Sequence, residues 1–480
     1  MTEALWGLDE LIAAAMAEAD GVAGDAFHGF SIDTRTLQAG DVFVALTDAR
    51  DGHDFVEAAF NAGAAAAIVR RGYDRQPGDG LLVRVDDPLT ALKRIGVAAR
   101  QRLNDTACVI AVTGSAGKTT TKEMLRSAFH AVDLGPVHAS ERSYNNHWGV
   151  PLTLARLPRD TAFAVFEIGM NHANEIRPLT KMVQPHVAIV TTVGQAHVGN
   201  FADGEVGIAK AKAEIFEGLV DGGVAVIPED NRHRDLLLDL ARAALGEDGD
   251  VRSFGEGADA TIAIVDIDVK PDRSLAQLGS GDARRAFEVS VPGRHNVGNA
   301  VAALIAVRSA LDVRDGFDVD NTDAFDAAWA AFATVQLDPP GRGQVHPLRD
   351  GITLIDESYN ANPASVRAAL ETIALYPQAR RRVAVLGDML ELGEEGADMH
   401  ACLADAVIEA NVILFAAGPL MRHLVDTLPE SLSGAWAENS EALLPHVLDA
   451  LRPNDVVMVK GSLGSRMQPL TVAVKDRYAE

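Results

Sequence analysis

Residues 111–121, AVTGSAGKTTT, follow the apolar run Cys108-Val109-Ile110 and lead into the helix-forming stretch KEMLRSAFHAV at 122–132. A glycine-bearing turn between a buried strand and a helix presents several backbone N–H groups at a helix N-terminus. A lysine in that turn adds a point charge, so the whole cradles phosphate. Gly114, Ser115, Ala116, Gly117, Lys118, Thr119 and Thr120 fit this description. The loop departs from the general P-loop pattern, because the position five before Gly117 is Val112 rather than glycine. The reading is a nucleotide site, with the Thr119 hydroxyl on Mg²⁺.

Downstream of the loop come AFAVFEIG (162–169) and HVAIVTTVG (186–194), continuous apolar runs of the kind that form parallel strands covered on both faces. Upstream, DVFVAL (41–46), AAAAIV (64–69) and LLVRV (81–85) alternate with helical stretches such as DFVEAAFNAGA. A tract rich in Asp and Gly (243–260) and a β-rich insertion (261–291) precede a helix within NVGNAVAALIAVRSAL, whose apolar face ends near Asp312. The polar segment 312–340, ending in Asp338-Pro339-Pro340, reads as a junction between domains. ITLID, RRVAVLGD, VILFAAG and DVVMVKG then supply four more strands at helix-length intervals. The fold class is α/β throughout.

A chain of 480 residues is too long for one ordinary core, and three domains are expected. No uninterrupted apolar run approaches the ~20 residues of a membrane helix, and the acidic start MTEALWGLDE lacks a basic signal region, so a cytoplasmic protein without membrane insertion is expected. Cys108 and Cys402 are the only cysteines, too few for a disulfide framework or a thiolate zinc site. With 43 Lys and Arg against 68 Asp and Glu, the formal charge of −25 opposes nucleic acid, so any anionic ligand must be held locally.

Two side chains stand at strand ends, where ligand-binding residues collect in open parallel sheets. They are Glu167, in FEIGMNHANEI, and His197, in TTVGQAHVGNF. Each alone is an ordinary structural residue; after consecutive strands beside a phosphate loop, together they read as ligands of a hard cation. GIAKAKAEIFEGL adds Lys210 and Lys212 on a short helix, where a solvated face is the ordinary expectation. In VPGRHNVGNAVAA, Asn296 and Asn299 share one helix face, and amides there can offer donor and acceptor to a purine edge. Arg342, in PPGRGQ, can fork onto a phosphate, and Asp356, in IDESYNANPASV, can take a ribose hydroxyl or a metal-bound water.

TGSAGKTTTK and these downstream segments resemble the Mur ligase family, which joins amino acids to peptidoglycan precursors. The resemblance covers essentially the whole chain. It implies a three-domain Mur ligase architecture: an N-terminal UDP-sugar-binding domain (1–104), a central P-loop parallel-sheet ATP-binding domain (105–335) and a Rossmann-like C-terminal ligase domain (336–480). The family pattern implies ATP and two Mg²⁺ ions, held by Thr119, Glu167, His197 and a carbamylated Lys212, with Lys210 as the fallback for that lysine. Lys118, Arg342 and Lys212 carry the catalytic expectation. Asn296, Asn299, Arg342 and Asp356 join the loop residues as nucleotide contacts.

FSIDTRTLQAGDVFVAL is similar to the uridine-nucleotide domain shared by the ligases that add the third residue and the terminal dipeptide, with Ser31, Asp33 and Arg35 as contacts. SYNNHWGVPLTL, with Asn145 and Asn146, together with DESYNANP, LGDMLELG and VKGSLGSRM, looks like the dipeptide-adding branch, and no Asp-Asn-Pro-Arg sequence of the diaminopimelate-adding branch occurs. The substrates this implies are UDP-N-acetylmuramoyl-tripeptide and D-alanyl-D-alanine, joined by a monomer through an acyl phosphate. Asn360 and Asn362 are expected near the dipeptide. One departure is Asn174, where the family commonly has glycine. A ligase of the same fold with another acceptor, or a nucleotide switch, shares the central motifs; substrate-dependent phosphate release separates them.

Overall fold

The computed structural model describes residues 4–22, 26–141, 143–313, 322–336, 341–376 and 379–479. Residues 314–321 and 337–340 of the junction segment, including Asp338-Pro339-Pro340, lie outside the described residues; between them the segment forms the helix Thr322–Ala331.

The phosphate-loop strand, Cys108–Thr113, is the seventh of nine in the largest sheet. Its neighbours are Phe163–Glu167 on one side and Val187–Val190 on the other, both parallel to it. All three are fully buried, as their unbroken apolar sequences require of strands covered on both faces. Glu167 pairs in register with Val112, and Val190 with Thr113, so the three strands end level and deliver their following loops to one edge. The expected β-rich insertion extends this sheet: Ile262–Val269 joins it parallel, then Ser274–Ser280 and Ala283–Val289 continue antiparallel.

The helix Arg294–Val313 lies under the loop and packs on the loop helix Lys118–Val132. It is long and apolar enough to cross a membrane by composition, but 78% of its apolar window is buried inside the protein. Its many alanines let the two helices approach closely, with Phe129 stacked on Phe163 at 4.2 Å alongside.

A five-stranded sheet precedes the central one. Asp41–Val44, Ala66–Arg70 and Leu81–Val85 run parallel as the sequence suggests; Gly29–Ser31 and an antiparallel Glu18–Asp20 complete it. Trp6 Nε1 donates to the Ala155 carbonyl (2.9 Å), Arg156 Nε donates to the Phe30 carbonyl (2.8 Å), and Arg102 stacks on Trp6. One continuous apolar cluster therefore runs from Trp6, Phe30 and Val44 to Val109, Phe166 and Ile215.

The last third forms a six-stranded sheet, with four expected strands at Thr353–Glu357, Arg381–Gly387, Ile413–Ala417 and Asp455–Lys460. Two edge strands, Gln344–Pro347 and Ser433–Ala437, escaped the sequence reading. Both are short, and the Pro and Gly they contain are strand breakers tolerated mainly at edges. This sheet has its own two apolar clusters, separate from the continuous one.

Candidate active site

A cleft of about 450 Å³ opens where the central strands end and faces the C-terminal sheet. Its floor is the phosphate loop. Gly117 takes φ 83° at the head of the loop helix, a left-handed conformation that glycine adopts without steric cost. The loop is tied to the strand beside it: Thr191 Oγ1 donates to the Ala116 carbonyl (2.5 Å), and the Ser115 N–H donates to the Thr192 carbonyl (2.8 Å). Val112 is buried within the strand, which is why the turn is short. Lys118 Nζ rests on the Gly114 carbonyl at 2.8 Å, and burial, reinforced by Arg342, lowers its pKa against the opposing pull of Glu167.

Glu167 is buried, and both of its oxygens are engaged. Thr119 Oγ1 donates to one (2.7 Å) and Asn145 Nδ2 to the other (2.7 Å), while Ser140 Oγ accepts its backbone N–H (3.2 Å). A hydroxyl and a carboxylate at hydrogen-bond distance, beside a phosphate loop, are the oxygen donors a hard cation takes. His197 lines the cleft one strand over with φ 65°, and its buried Nδ1 has Glu391 Oε2 at 2.5 Å, an ion-pair contact whose angle is not that of an aligned hydrogen bond.

Lys212 is 2% exposed, with no hydrogen bond or ion pair among the described residues. Burial first, then the charge of Lys118, pushes its pKa well below 10.5. It does not line the cleft, but it feels the charge of Lys118 and its own charge lowers the His197 pKa. Lys210, the fallback, lies on the exposed face of the same helix beside Asp203 (3.4 Å).

The opposite wall comes from the C-terminal part. Arg342 stacks over Tyr359 (4.0 Å), donates one guanidinium N–H to Ser143 Oγ (3.0 Å), and has a buried Nε without a hydrogen-bond partner among the described residues. A buried guanidinium in the cleft that holds the phosphate loop, close enough to act on Lys118, fits an anion. Asn296 and Asn299 also line the cleft, although Asn299 is pressed against Gly117 and Asn296 Nδ2 donates to the Pro292 carbonyl (2.8 Å).

Several expected residues lie elsewhere or do other work. Asp356 does not line the cleft; it is buried, accepting from Ser358 Oγ (2.6 Å) and Lys475 Nζ (3.3 Å). Strand alternation explains the difference, since successive side chains face opposite ways and its neighbour Glu357 lines the cleft instead. Asn146 is also absent from the wall: its Oδ1 accepts the Trp148 and Gly149 N–H groups at the start of a helix. Asn362 lines the cleft but caps the helix Pro363–Ala374, while Asn360 stands beside Lys460, whose Nζ bonds its carbonyl and Glu357 at 3.0 Å each. Ser31 is buried in a turn with Asp33, and Asp33 grips the exposed Arg35 in a forked pair. These three lie away from the cleft.

Glu357, Ser143, His295, Glu391 and Lys460 are cleft residues that the sequence reading did not assign. All five stand within quoted motifs (SYNNHWGVPLTL, VPGRHNVGNAVAA, IDESYNANPASV, LGDMLELG and VKGSLGSRM), but nothing in a motif says which side chain turns inward. Asn174 resolves the one departure: it takes φ 67°, the region where glycine is favoured and asparagine is tolerated. The loop keeps its shape, fixed by Glu214, whose carboxylate accepts the Asn174 (2.7 Å) and Arg177 (2.9 Å) N–H groups.

Comparison with known proteins gives a consistent result. The sequence matches the Mur ligase middle domain over residues 112–307 and the Mur ligase, glutamate ligase domain over 341–463. It is 32% identical to the UDP-N-acetylmuramoyl-tripeptide--D-alanyl-D-alanine ligase of Bacillus subtilis, across 94% of this chain and 93% of that one. The ligase of the same name from Escherichia coli is also 32% identical, across 92% and 93%. Among solved structures, MurF from Acinetobacter baumannii superposes with a TM-score of 0.82 at 29% identity, covering 98% of this chain and 99% of that one.

Proposed function

The chain belongs to the Mur ligase family, and we propose that it joins D-alanyl-D-alanine to the C-terminal carboxylate of UDP-N-acetylmuramoyl-tripeptide at the expense of ATP. The observation that carries this reading is the convergence of Lys118, Thr119, Glu167 and His197 on one cleft closed by Arg342. Full-length similarity to ligases of that name supports the substrate pair.

A carboxylate resists attack by an amine because its leaving group is poor. Transfer of the γ-phosphoryl group to the tripeptide carboxylate gives an acyl phosphate and ADP. Attack of the dipeptide amine on the acyl carbon then passes through a tetrahedral intermediate that expels phosphate, forms the peptide bond and sheds one proton. Lys118 and Arg342 meet the charge on the moving phosphoryl group from opposite sides, which is positioning and electrostatics. Thr119 and Glu167 have the oxygens to hold one Mg²⁺, and His197 the nitrogen for a second; such ions neutralise phosphate charge. Burial and the charge of Lys118 favour the neutral form of the Lys212 amine, the form that adds CO₂ with formation of an N–C bond and release of a proton. The resulting carbamate would answer the cations around it and supply oxygens near His197. Ser31, Asp33 and Arg35 remain the proposed uridine-nucleotide contacts, on an N-terminal domain ending near residue 104; the C-terminal domain begins near 336.

The test is phosphate release with ATP, Mg²⁺ and the tripeptide substrate, with and without D-alanyl-D-alanine, and the product mass. Release that depends on the dipeptide, with one dipeptide unit added, is expected. Turnover only with a single amino acid and a shorter precursor would move the function to a neighbouring ligase. For the carbamate, ¹³C-bicarbonate should give a carbamate carbon signal that Lys212→Arg abolishes and Lys210→Arg leaves intact.

A further inference from the structure

The turn that carries His197 also touches the C-terminal part of the molecule. Val198, the next residue, packs against a C-terminal apolar cluster. After it, Gly199 meets Gly393 backbone to backbone: a Cβ on Gly199 would lie 2.7 Å from the Gly393 nitrogen, and one on Gly393 would lie 2.8 Å from the Gly199 Cα. Between these contacts Glu391 Oε2 reaches to 2.5 Å from His197 Nδ1.

Glu391 is held in an unusual pose. It takes φ 65°, and the three residues before it are each fixed by hydrogen bonds. The Asp388 carboxylate accepts the Leu420 (3.3 Å) and Met421 (2.8 Å) N–H groups; the Met389 N–H donates to buried His400 Nε2 (2.9 Å), and the Leu390 N–H donates to Ser462 Oγ (2.9 Å). A left-handed glutamate persists where its surroundings over-determine it, and such strain gathers at sites that use it. His197 has the same conformation across the contact. Two strained turns from different sheets thus meet at one pair of side chains.

We propose that the turns 197–200 and 391–393 form a latch linking cation binding at His197 to docking of the C-terminal domain, with Glu391 as the positioning residue for the His197 ring. A ligating imidazole is oriented by a carboxylate on its other ring nitrogen, and losing that partner weakens metal binding. Here the carboxylate comes from a separate domain, so the undocked state lacks it. By reciprocity, a cation that binds the docked state more tightly favours docking by the same factor. Chemistry is thereby confined to the closed molecule, where Arg342 also faces the phosphate loop.

The inference rests on the reading that His197 holds a cation, and the experiment separates the two. Mn²⁺ binding to the full-length protein with a non-hydrolysable ATP analogue is followed by electron paramagnetic resonance for the wild type, Glu391→Ala, Glu391→Gln, Gly393→Val and His197→Ala. Glu391→Ala is expected to weaken Mn²⁺ about 10–100-fold. Gly393→Val, which touches no ligand but blocks the backbone contact, should give a loss of the same kind. Glu391→Gln, nearly isosteric, should fall between Glu391→Ala and wild type and carries the test if the valine variant does not fold. Wild-type affinity in Glu391→Ala and Gly393→Val, with a loss in His197→Ala, overturns the latch and keeps the cation site. Wild-type affinity in His197→Ala overturns both.

Discussion

At the scale of single residues, Gly117 is constrained twice. Its φ of 83° is costly for a side chain, and a Cβ there would come within 2.3 Å of Asn299 Oδ1. Left-handed strain alone costs an alanine about 1–2 kcal/mol, and Asn299 must also move on a helix packed under the loop. Gly117→Ala should therefore lower kcat/KM for ATP by roughly ten- to a hundredfold, measured at fixed saturating tripeptide and dipeptide, while the melting midpoint stays within a few degrees. Unchanged kinetics would mean that the loop does not touch nucleotide. Such glycines, and Lys118 and Thr119 beside them, were legible because phosphate binding demands those residue types at that spacing. Glu391 and Ser143 were not: the Arg342–Ser143 bond spans 199 residues, and no local pattern encodes a partner so distant.

At the scale of elements, the base of the phosphate-loop strand is pinned by a histidine outside the cleft. Val109 donates its N–H to His186 Nδ1 (2.9 Å), and the His186 N–H donates to the Val109 carbonyl (2.7 Å). Burial, and then Arg100, lower the His186 pKa from 6.5 to about 4; burial does the same to His138. Folded values below the unfolded one mean that the unfolded chain binds more protons in between. The stability these groups contribute is therefore complete above about pH 6.5 and drains as pH falls toward about 4. Calorimetry should show a melting midpoint that is flat near neutrality and declines through that window, more shallowly in His186→Gln. An equal slope in the variant would remove His186 from the account. The strand itself was plain in the sequence, as were its buried neighbours, because continuous apolar runs between helix-length intervals have few other readings. Glu18–Asp20 and Ser433–Ala437 escaped because short edge strands bury too little to leave a pattern.

At the scale of the whole molecule, the division of apolar cores says which part moves. The first two sheets share one unbroken cluster, so separating them would expose buried Trp6, Phe30 and Phe166. The C-terminal sheet has clusters of its own and meets the rest mainly through polar and backbone links, with Val198 packed against its cluster: Arg342 to Ser143, His197 to Glu391, Gly199 against Gly393, and the Tyr376 hydroxyl donating to the Pro271 carbonyl at 3.2 Å. Breaking these costs little apolar burial, which makes the C-terminal part the hinged body and the first two sheets its fixed base. Two of those links also depend on what fills the cleft, since Arg342 Nε has no hydrogen-bond partner among the described residues and suits a phosphate, and His197 has a ring to offer a cation. The arrangement described here is thus the docked form, and nucleotide should hold it while its absence releases it. Small-angle scattering should give a larger radius of gyration for the free protein than for the protein with Mg²⁺, an ATP analogue and the tripeptide substrate. Arg342→Ala should shrink that difference, because it removes a link that ligand strengthens. Equal radii with and without ligands in the wild type would mean that the three sheets form one rigid body and that chemistry needs no closure.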